Sequence, residues 1–318
     1  MLKLIKSDIT ENLEVVSNLK GMNAIRDKRT KEEVLIPDNV YECLKDRAGK
    51  EELKVMKPIE TDIEIDDVKE DYIAEDKADG SYYFMAKLGG VFNLYNKRKK
   101  VKTEIYPELV TDIPNNTILV GEIVIKDKEH PTGNFQKLLS RENTKKTDNF
   151  QIKLKKKKYP AKFIVFDILR LKRLDLTSME YRDRRKVLEN FIESIDNSNI
   201  ELINQYMNIE WAWDRVIEKN LEGLVLKRPD SKYYEGRSSK WIKLKYIKDT
   251  EVTVIDYEEH PKGITAITKD GLRFTINGGI SKVVKGQIDS KGEVDCEVSY
   301  LRKTENNKLF QIRMKRVL

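Results

Sequence analysis

Short apolar and β-rich runs fill the middle of the chain. Ser81–Leu88, Val91–Tyr95, Ile118–Ile125 and Lys162–Ile168 are dense in Val, Ile, Phe and Tyr and predict strands. Between them, Thr177-Ser-Met-Glu180 spells a capping box and predicts a helix running to about Ile195. Val187, Leu188, Phe191 and Ile195 form its apolar face. Residues 1 to about 70 read differently. Leu13, Val16, Leu19, then Val34-Leu35-Ile36, Val40 and Leu44 are taken as helix-spaced, with Pro37 and Gly49 as breaks. That predicts a small, mostly helical segment that packs on the core domain or clasps nucleic acid.

After Lys248 the pattern alternates through Glu251–Tyr257, Ile264–Ile267, Arg273–Ile276 and Val294–Tyr300. Turns are expected at Pro261-Lys-Gly263, Lys269-Asp-Gly271 and Gly278-Gly279. Short strands at this spacing predict a five-stranded barrel, of which the OB-fold is the commonest solution. The expected domains are therefore 1–70, 71–248 and 249–318.

Composition changes the picture little. Of 318 residues, 36% are charged and 39% hydrophobic, which suits globular rather than disordered structure. The net charge of +7 permits a polyanionic partner. Cys43 and Cys296 lie far apart, and with only His130 and His260 no zinc site of ordinary spacing can be built. Both cysteines read as buried apolar residues in a reducing compartment. No apolar run suits a bilayer span or an N-terminal signal core. The basic tract Lys153–Lys158 reads either as a solvated loop or as a phosphate-tracking one.

The chemistry begins at Glu75-Asp-Lys77-Ala-Asp79-Gly80, where a lysine stands between a strand end and an Asp-Gly turn. A lysine held rigidly and partly dehydrated becomes a nucleophilic amine. Downstream, in order, come Asn96-Lys97-Arg98, Gly121-Glu122, Phe166-Asp167, Glu222-Gly-Leu-Val-Leu-Lys227 and Trp241-Ile-Lys243-Leu-Lys245. Attack of an amine on a nucleoside triphosphate needs a deprotonated lysine, cations at the phosphates, carboxylates for metal, and an aromatic platform. Lys77 supplies the nucleophile. Lys243 and Lys245, alternating on one strand face, would lower its pKa and hold the α-phosphate. Glu222 would hold a divalent metal, and Phe166 would stack on a purine.

Together these motifs resemble the covalent nucleotidyltransferase superfamily of ATP-dependent DNA ligases, RNA ligases and capping enzymes, from about Lys57 onward. Within it, Phe135-Gln136…Arg141, Glu180-Tyr-Arg-Asp-Arg-Arg185 and the C-terminal strands are similar to DNA ligases, and Ala24–Leu35 resembles the N-terminal helix pair of small phage ligases. The resemblance implies an α+β fold: an adenylation (nucleotidyltransferase) domain of antiparallel sheets with flanking helices, then an OB-fold β-barrel. It implies nick sealing through AMP attached covalently to Lys77, with ATP and Mg2+ or Mn2+. It also implies a monomer acting on nicked double-stranded DNA with no membrane partner, in a cytoplasm (a host's, if phage-encoded). Glu75 is assigned to the adenine edge, Asp79 and Glu122 to ribose or supporting work, and Glu222, with Glu122, to metal. Arg98, Lys227, Lys243 and Lys245 are assigned to nucleotide binding, and Arg313, Lys315 or Arg316 to the pyrophosphate.

Two departures stand out. Tyr82 occupies the usual arginine position, so Lys97 or Lys99 would compensate, and the last motif matches only roughly. An RNA-repair ligase is the alternative, and a capping enzyme would take GTP instead. Domain closure would hinge near Lys248-Asp249.

Overall fold

The computed structural model describes residues 53–60, 65, 68, 72–172, 174–303 and 308–318, with backbone also for 13–19, 22–27 and 33–37. The N-terminal stretches are strands: β1 (Leu13–Leu19), β2 (Met22–Asp27) and β3 (Glu33–Pro37) form an antiparallel sheet. This corrects the helical reading of the segment, including the helix pair expected at Ala24–Leu35. Leu13-Glu-Val15 and Met22-Asn-Ala24 alternate with period two, and Val34-Leu35-Ile36 is a short β-rich run stopped by Pro37. These are strand signals. Val40, Cys43, Leu44 and Gly49 lie outside the described residues.

Along the chain follow β4 (Met56–Glu60), β5 (Ile73–Asp76), β6 (Ser81–Leu88), β7 (Val91–Asn96) and β8 (Thr117–Val124). Helices α1 (Phe135–Glu142) and α2 (Asn149–Lys158) precede β9 (Lys162–Leu171), β10 (Leu174–Asp175) and α3 (Tyr181–Glu193). Then come β11 (Ile200–Leu202), β12 (Gln205–Tyr206), α4 (Ile209–Glu218), β13 (Gly223–Lys227) and β14 (Gly236–Lys245). The last part holds β15 (Lys248–His260), β16 (Gly263–Thr268), β17 (Arg273–Asn277), α5 (Gly279–Lys291), β18 (Val294–Tyr300), β19 (Arg302–Lys303), β20 (Leu309–Phe310) and β21 (Arg313–Val317).

The chain divides into two units: Met1–Trp213 with Leu224–Leu244, and Asp214–Gly223 with Lys245–Leu318. The boundary expected at 248/249 thus falls at 244/245, and residues 214–223 join the second unit. Lys248 and Asp249, expected at a hinge, are strand residues paired with Tyr300 and Ser299. Residues 246–247, between β14 and β15, lie outside both strands.

The first unit is built on two sheets. One has the order β10-β9-β8-β6-β7, with β11 beside β9; the other runs β12-β5-β13-β14-β4. The β6 sheet is covered on both faces, which explains its nearly continuous apolar runs. Tyr83 and Met85 join Leu119, Phe163, Leu138 of α1 and Leu188 of α3 in one core. Phe84 and Ala86 point the other way, into a core with Met56, Tyr233 and Trp241 of the second sheet region. Pairing is not purely antiparallel: β11–β9 and β4–β14 run parallel, each joining segments distant in sequence.

Helix α3 starts three residues later than the capping box suggested. Glu180 is the N-cap residue, and Thr177 instead accommodates Asp175, whose carboxylate accepts from the Thr177 backbone and hydroxyl. Its apolar face is as expected, with Leu188 and Phe191 buried and Val187 and Ile195 packed on the same core. The basic tract Lys153–Lys158 is helical rather than looped, because Asp148 caps α2 by accepting from the Gln151 N–H and Ile152 buries one face.

In the second unit, strands β17-β16-β15-β18-β21 form one antiparallel sheet, and its two edge strands, β17 and β21, also touch each other. Val254, Ile264, Phe274, Val284 and Val298 make its core, with Cys296 buried as expected. Gly278, at φ +73°, opens α5 where only a turn was expected. The apolar positions Ile280, Val284 and Ile288 carry that helix's 3.6-residue period.

Candidate active site

Strand β5 ends at Asp76, and the half-buried Lys77 follows directly. The turn after it is pinned at two successive amides. Asp79 N–H donates to Thr132 O at 3.1 Å, and Gly80 N–H donates to Glu122 Oε2 at 3.0 Å. Glycine is required at position 80, since a Cβ there would meet Ile123 O at 2.4 Å and Val124 Cγ1 at 2.7 Å. Glu122 reaches the turn because β8 pairs it opposite Tyr82 on β6. Lys77, Asp79, Gly80 and Glu122 are thereby brought together.

Beneath the strand end lies a buried box. Strand β13 pairs with β5, and its Lys227 sends Nζ to Glu75 Oε2 at 2.6 Å and to Phe166 O at 3.1 Å. The same Nζ lies 4.8, 4.6 and 4.2 Å from the ring centroids of Phe166, Tyr181 and Trp241. Glu75 Oε1 accepts from the Tyr181 hydroxyl and pairs with Arg185 at 3.4 Å. Burial pushes the Lys227 ammonium below its ordinary range although Glu75 and Asp167 oppose this. Burial, reinforced by Glu75, pushes the Tyr181 hydroxyl well up. Phe166, Lys227 and Glu75 thus sit together, with Phe166 half-buried and tilted against Tyr82 at 5.9 Å.

Tyr82 is no stand-in for the absent arginine. Tyr233 donates its own proton to Lys54 O at 2.8 Å, so Tyr82 donates to the Tyr233 hydroxyl, 3.0 Å away. Lys97, one of the two lysines expected to compensate, directly follows β7. Partial desolvation and the nearby Lys57 and Lys243 push its ammonium below its ordinary range, against the pull of Glu122. Lys243 itself pairs with Glu60 at 2.8 Å, placed there by the β4–β14 register. Arg98 is exposed in the turn after β7, its backbone N–H held by Asn96 Oδ1. Lys99 adopts φ +59° in the same turn.

Glu222, Lys245 and the last-motif residues belong to the second unit. Glu222 and Lys245 are half-buried, and Glu222 O accepts from the Tyr246 N–H. On β21, Lys315 pairs with Asp249 at 2.6 Å and Glu297 at 3.2 Å, and Arg316 pairs with Glu297 at 2.6 Å. Hydrogen bonds that Lys315 donates to Asp249 and Glu297 raise its pKa. Arg313 is exposed opposite Ser299.

Sequence reasoning missed Tyr181, Arg184 and Arg185 as parts of the site's foundation. The signal was their spacing: with Leu188 they occupy one face of α3, the face turned to the core. Long cations on a core-facing stripe announce buried ion pairs.

A family model described as the ATP dependent DNA ligase domain matches residues 54–245. The chain belongs to that family. The matched span holds every proposed site residue except those of the last motif. DNA ligase 1 of Methanosarcina mazei is 32% identical over 195 residues, 56% of this chain and 33% of its own length. The SPbeta prophage-derived DNA ligase-like protein LigB of Bacillus subtilis is 27% identical over 211 residues, 65% of this chain and 70% of its own. The ligase-family chain therefore spans about a third of the archaeal relative but most of the prophage one. A Lig E DNA ligase structure superposes with TM-score 0.62 at 19% identity, covering 83% of this chain and 99% of that one. A mycobacterial DNA ligase D complexed with ATP and MES gives 0.51 at 18%, covering 84% and 95%. These two likenesses establish the nucleotidyltransferase fold of mixed helix and sheet. Among the described residues no helix is long and apolar enough to cross a membrane.

Proposed function

We propose that this ligase-family chain seals 5′-phosphate/3′-hydroxyl nicks in duplex DNA, using ATP and a covalent AMP on Lys77. The observation that carries this reading is the doubly pinned turn holding Lys77 at the end of β5. The lysine amine attacks the α-phosphorus, an N–P bond forms, and the bond to pyrophosphate breaks. AMP then passes to the nick 5′-phosphate, and the 3′-hydroxyl attacks that phosphate and expels AMP. Dividing the reaction through a covalent intermediate replaces one hard displacement by easier ones.

Phe166 offers its ring to the base, Glu75 lies at the adenine edge, and Asp79 and Glu122 serve the ribose side. In the first unit Lys227, Lys243 and Arg98, aided by Lys97, are the cations for the nucleotide, and Lys245 of the second unit is assigned the same role by the ligase resemblance. Among the described residues no three His, Cys, Asp or Glu side chains gather as a metal cage. One or two carboxylates plus phosphate oxygens and water are the ordinary Mg2+ set, so a single carboxylate, Glu122 or Glu222, would serve to hold that ion. When bound, Mg2+ neutralises charge developing on the phosphates. Arg313, Lys315 or Arg316 of the last motif serves the pyrophosphate. The contact between edge strands β17 and β21 supports an OB-type barrel.

The deciding assay is sealing of a nicked duplex with a labelled 5′-phosphate, with ATP and Mg2+, in all-DNA and RNA-containing versions. Joining of all-DNA nicks is expected. Joining only with an RNA 3′-side strand would overturn the DNA reading in favour of RNA repair.

DNA held through phosphates binds with steep salt dependence. The exposed Lys153, Lys156 and Lys157 of α2, beside the exposed Phe150, offer such contacts. The triple change to Gln should make the slope of log K against log salt shallower by about 2 to 3. An unchanged slope, measured by fluorescence anisotropy, would return α2 to a plain solvated helix.

A further inference from the structure

The loop from Asp127 to Asn134 is tied down far more tightly than a connection between β8 and α1 requires. Asp127 is its hub. Its Oδ1 accepts from the backbone N–H groups of Glu129 at 3.0 Å and His130 at 2.8 Å, and meets His130 Nδ1 at 2.8 Å. Its Oδ2 accepts from Asn134 Nδ2 at 3.0 Å and Lys137 Nζ at 2.8 Å. Burial alone would raise the Asp127 pKa, but hydrogen bonds from Lys137, His130 and Asn134 outweigh it and hold the carboxyl well below the usual range. Asn134, almost fully buried, extends the network in both directions. Its N–H donates to Ile125 O at 2.7 Å, and its Oδ1 caps α1 by accepting from Gln136 and Lys137 N–H.

What this network holds in place faces the nucleophile. Thr132 O accepts the Asp79 N–H, and Gly133, at φ +138°, passes so close that a Cβ would lie 2.4 Å from Asp79 O. The turn after Lys77 is therefore gripped from one side by Glu122 and from the other by this loop. Of the two gripping groups, Glu122 is itself assigned to the nucleotide, whereas Thr132 and Gly133 are not.

Resting on the ligase reading, we infer that the Asp127–Asn134 loop is a positioning element for Lys77, with Asp127 acting through Thr132 and Gly133 on the Asp79 backbone. A nucleophile must meet the α-phosphorus in line, and a misplacement of about 1 Å can cost about 100-fold in rate. The element acts where Lys77 is nucleophile in the first step and leaving group in the second; the last step, joining an already adenylylated nick, does not use Lys77.

The test compares the native chain with Asp127→Asn and, from the other side of the contact, Gly133→Ala. The readouts are amide hydrogen exchange at Asp79, single-turnover attachment of AMP from labelled ATP, and sealing of a pre-adenylylated nick. Faster exchange is expected, together with attachment slowed about 10- to 100-fold at saturating ATP. The ATP concentration for half-maximal rate should move by less than about threefold, the sign of lost orientation rather than lost binding. Sealing of the pre-adenylylated nick should stay at the native rate. Faster exchange with unchanged attachment, or a parallel fall in both reactions, would overturn the inference. A native chain that accepts no AMP would instead refute the ligase reading, and the exchange measurement would still report whether Asp127 governs the turn.

Discussion

Lys77→Ala takes up no label from ATP carrying radioactive α-phosphate, yet it still joins a nick whose 5′ end is already adenylylated. The loss in AMP attachment should be on the order of 10⁴-fold or more, the scale seen when an enzyme's nucleophile is removed. The split follows from the site. The first step forms a bond to Nζ of residue 77, whereas the last step joins two DNA ends and uses the surrounding cations and carboxylates. Lys77→Arg separates nucleophilicity from charge: a guanidinium keeps the positive charge beside the phosphates but stays protonated. It should be as inert as alanine in labelling. Peptide mapping of the labelled native chain gives the decisive check. Label on Lys227, Lys243 or Lys245, or label retained by the alanine variant, would displace Lys77 from its role.

The strands that carry the site were readable because they are covered on both faces. A run such as Ser81–Leu88 has few other solutions, and its observed bounds match those expected. Order along the chain also singled out Glu122, Phe166 and Lys227 as candidates, and each stands within an apolar strand. What could not be read was which distant segments meet. Nothing local to Lys227 announces a partner at Glu75, far upstream, and nothing in the Asp127 loop announces its contact with Asp79. Both depend on strand pairing and backbone approach across the sheet. The N-terminal sheet was misread for a different reason. Leu13, Val16 and Leu19 satisfy helical spacing, but the residues between them fit period two equally well, and the short Val34–Ile36 run fits either. The α2 lysines concealed a helix because a tract of cations suggests solvent. Lysine is nonetheless a good helix former, and cations favour a helix C-terminus.

Arg184→Met should destabilise the first unit by about 3–5 kcal/mol, the usual cost of removing one partner of a buried ion pair. Asp167 and Arg184 are 1% and 0% exposed, joined by Nε to Oδ1 at 2.9 Å and Nη2 to Oδ2 at 2.8 Å. Methionine fills much of the arginine's volume, so most of the cost is the Asp167 carboxylate left buried with the Ile168 N–H at 2.9 Å as its remaining neighbour among these contacts. The Met179 and Ser231 carbonyls lose a donor as well. Adding Asp167→Leu to Arg184→Met removes the stranded charge, so the double variant should be the more stable of the two. The measurement is urea unfolding followed by tryptophan fluorescence. Trp211, Trp213 and Trp241 all lie in the first unit, so the signal reports that unit alone. A loss below about 1 kcal/mol, the range of surface pairs, would mean that water reaches Asp167 once the arginine is gone. The consequence reaches the site, because Asp167 follows Phe166, whose carbonyl holds Lys227. A chain that unfolds more easily there should also lose the buried box under Lys77, so AMP attachment should fall in the single variant and recover in the double.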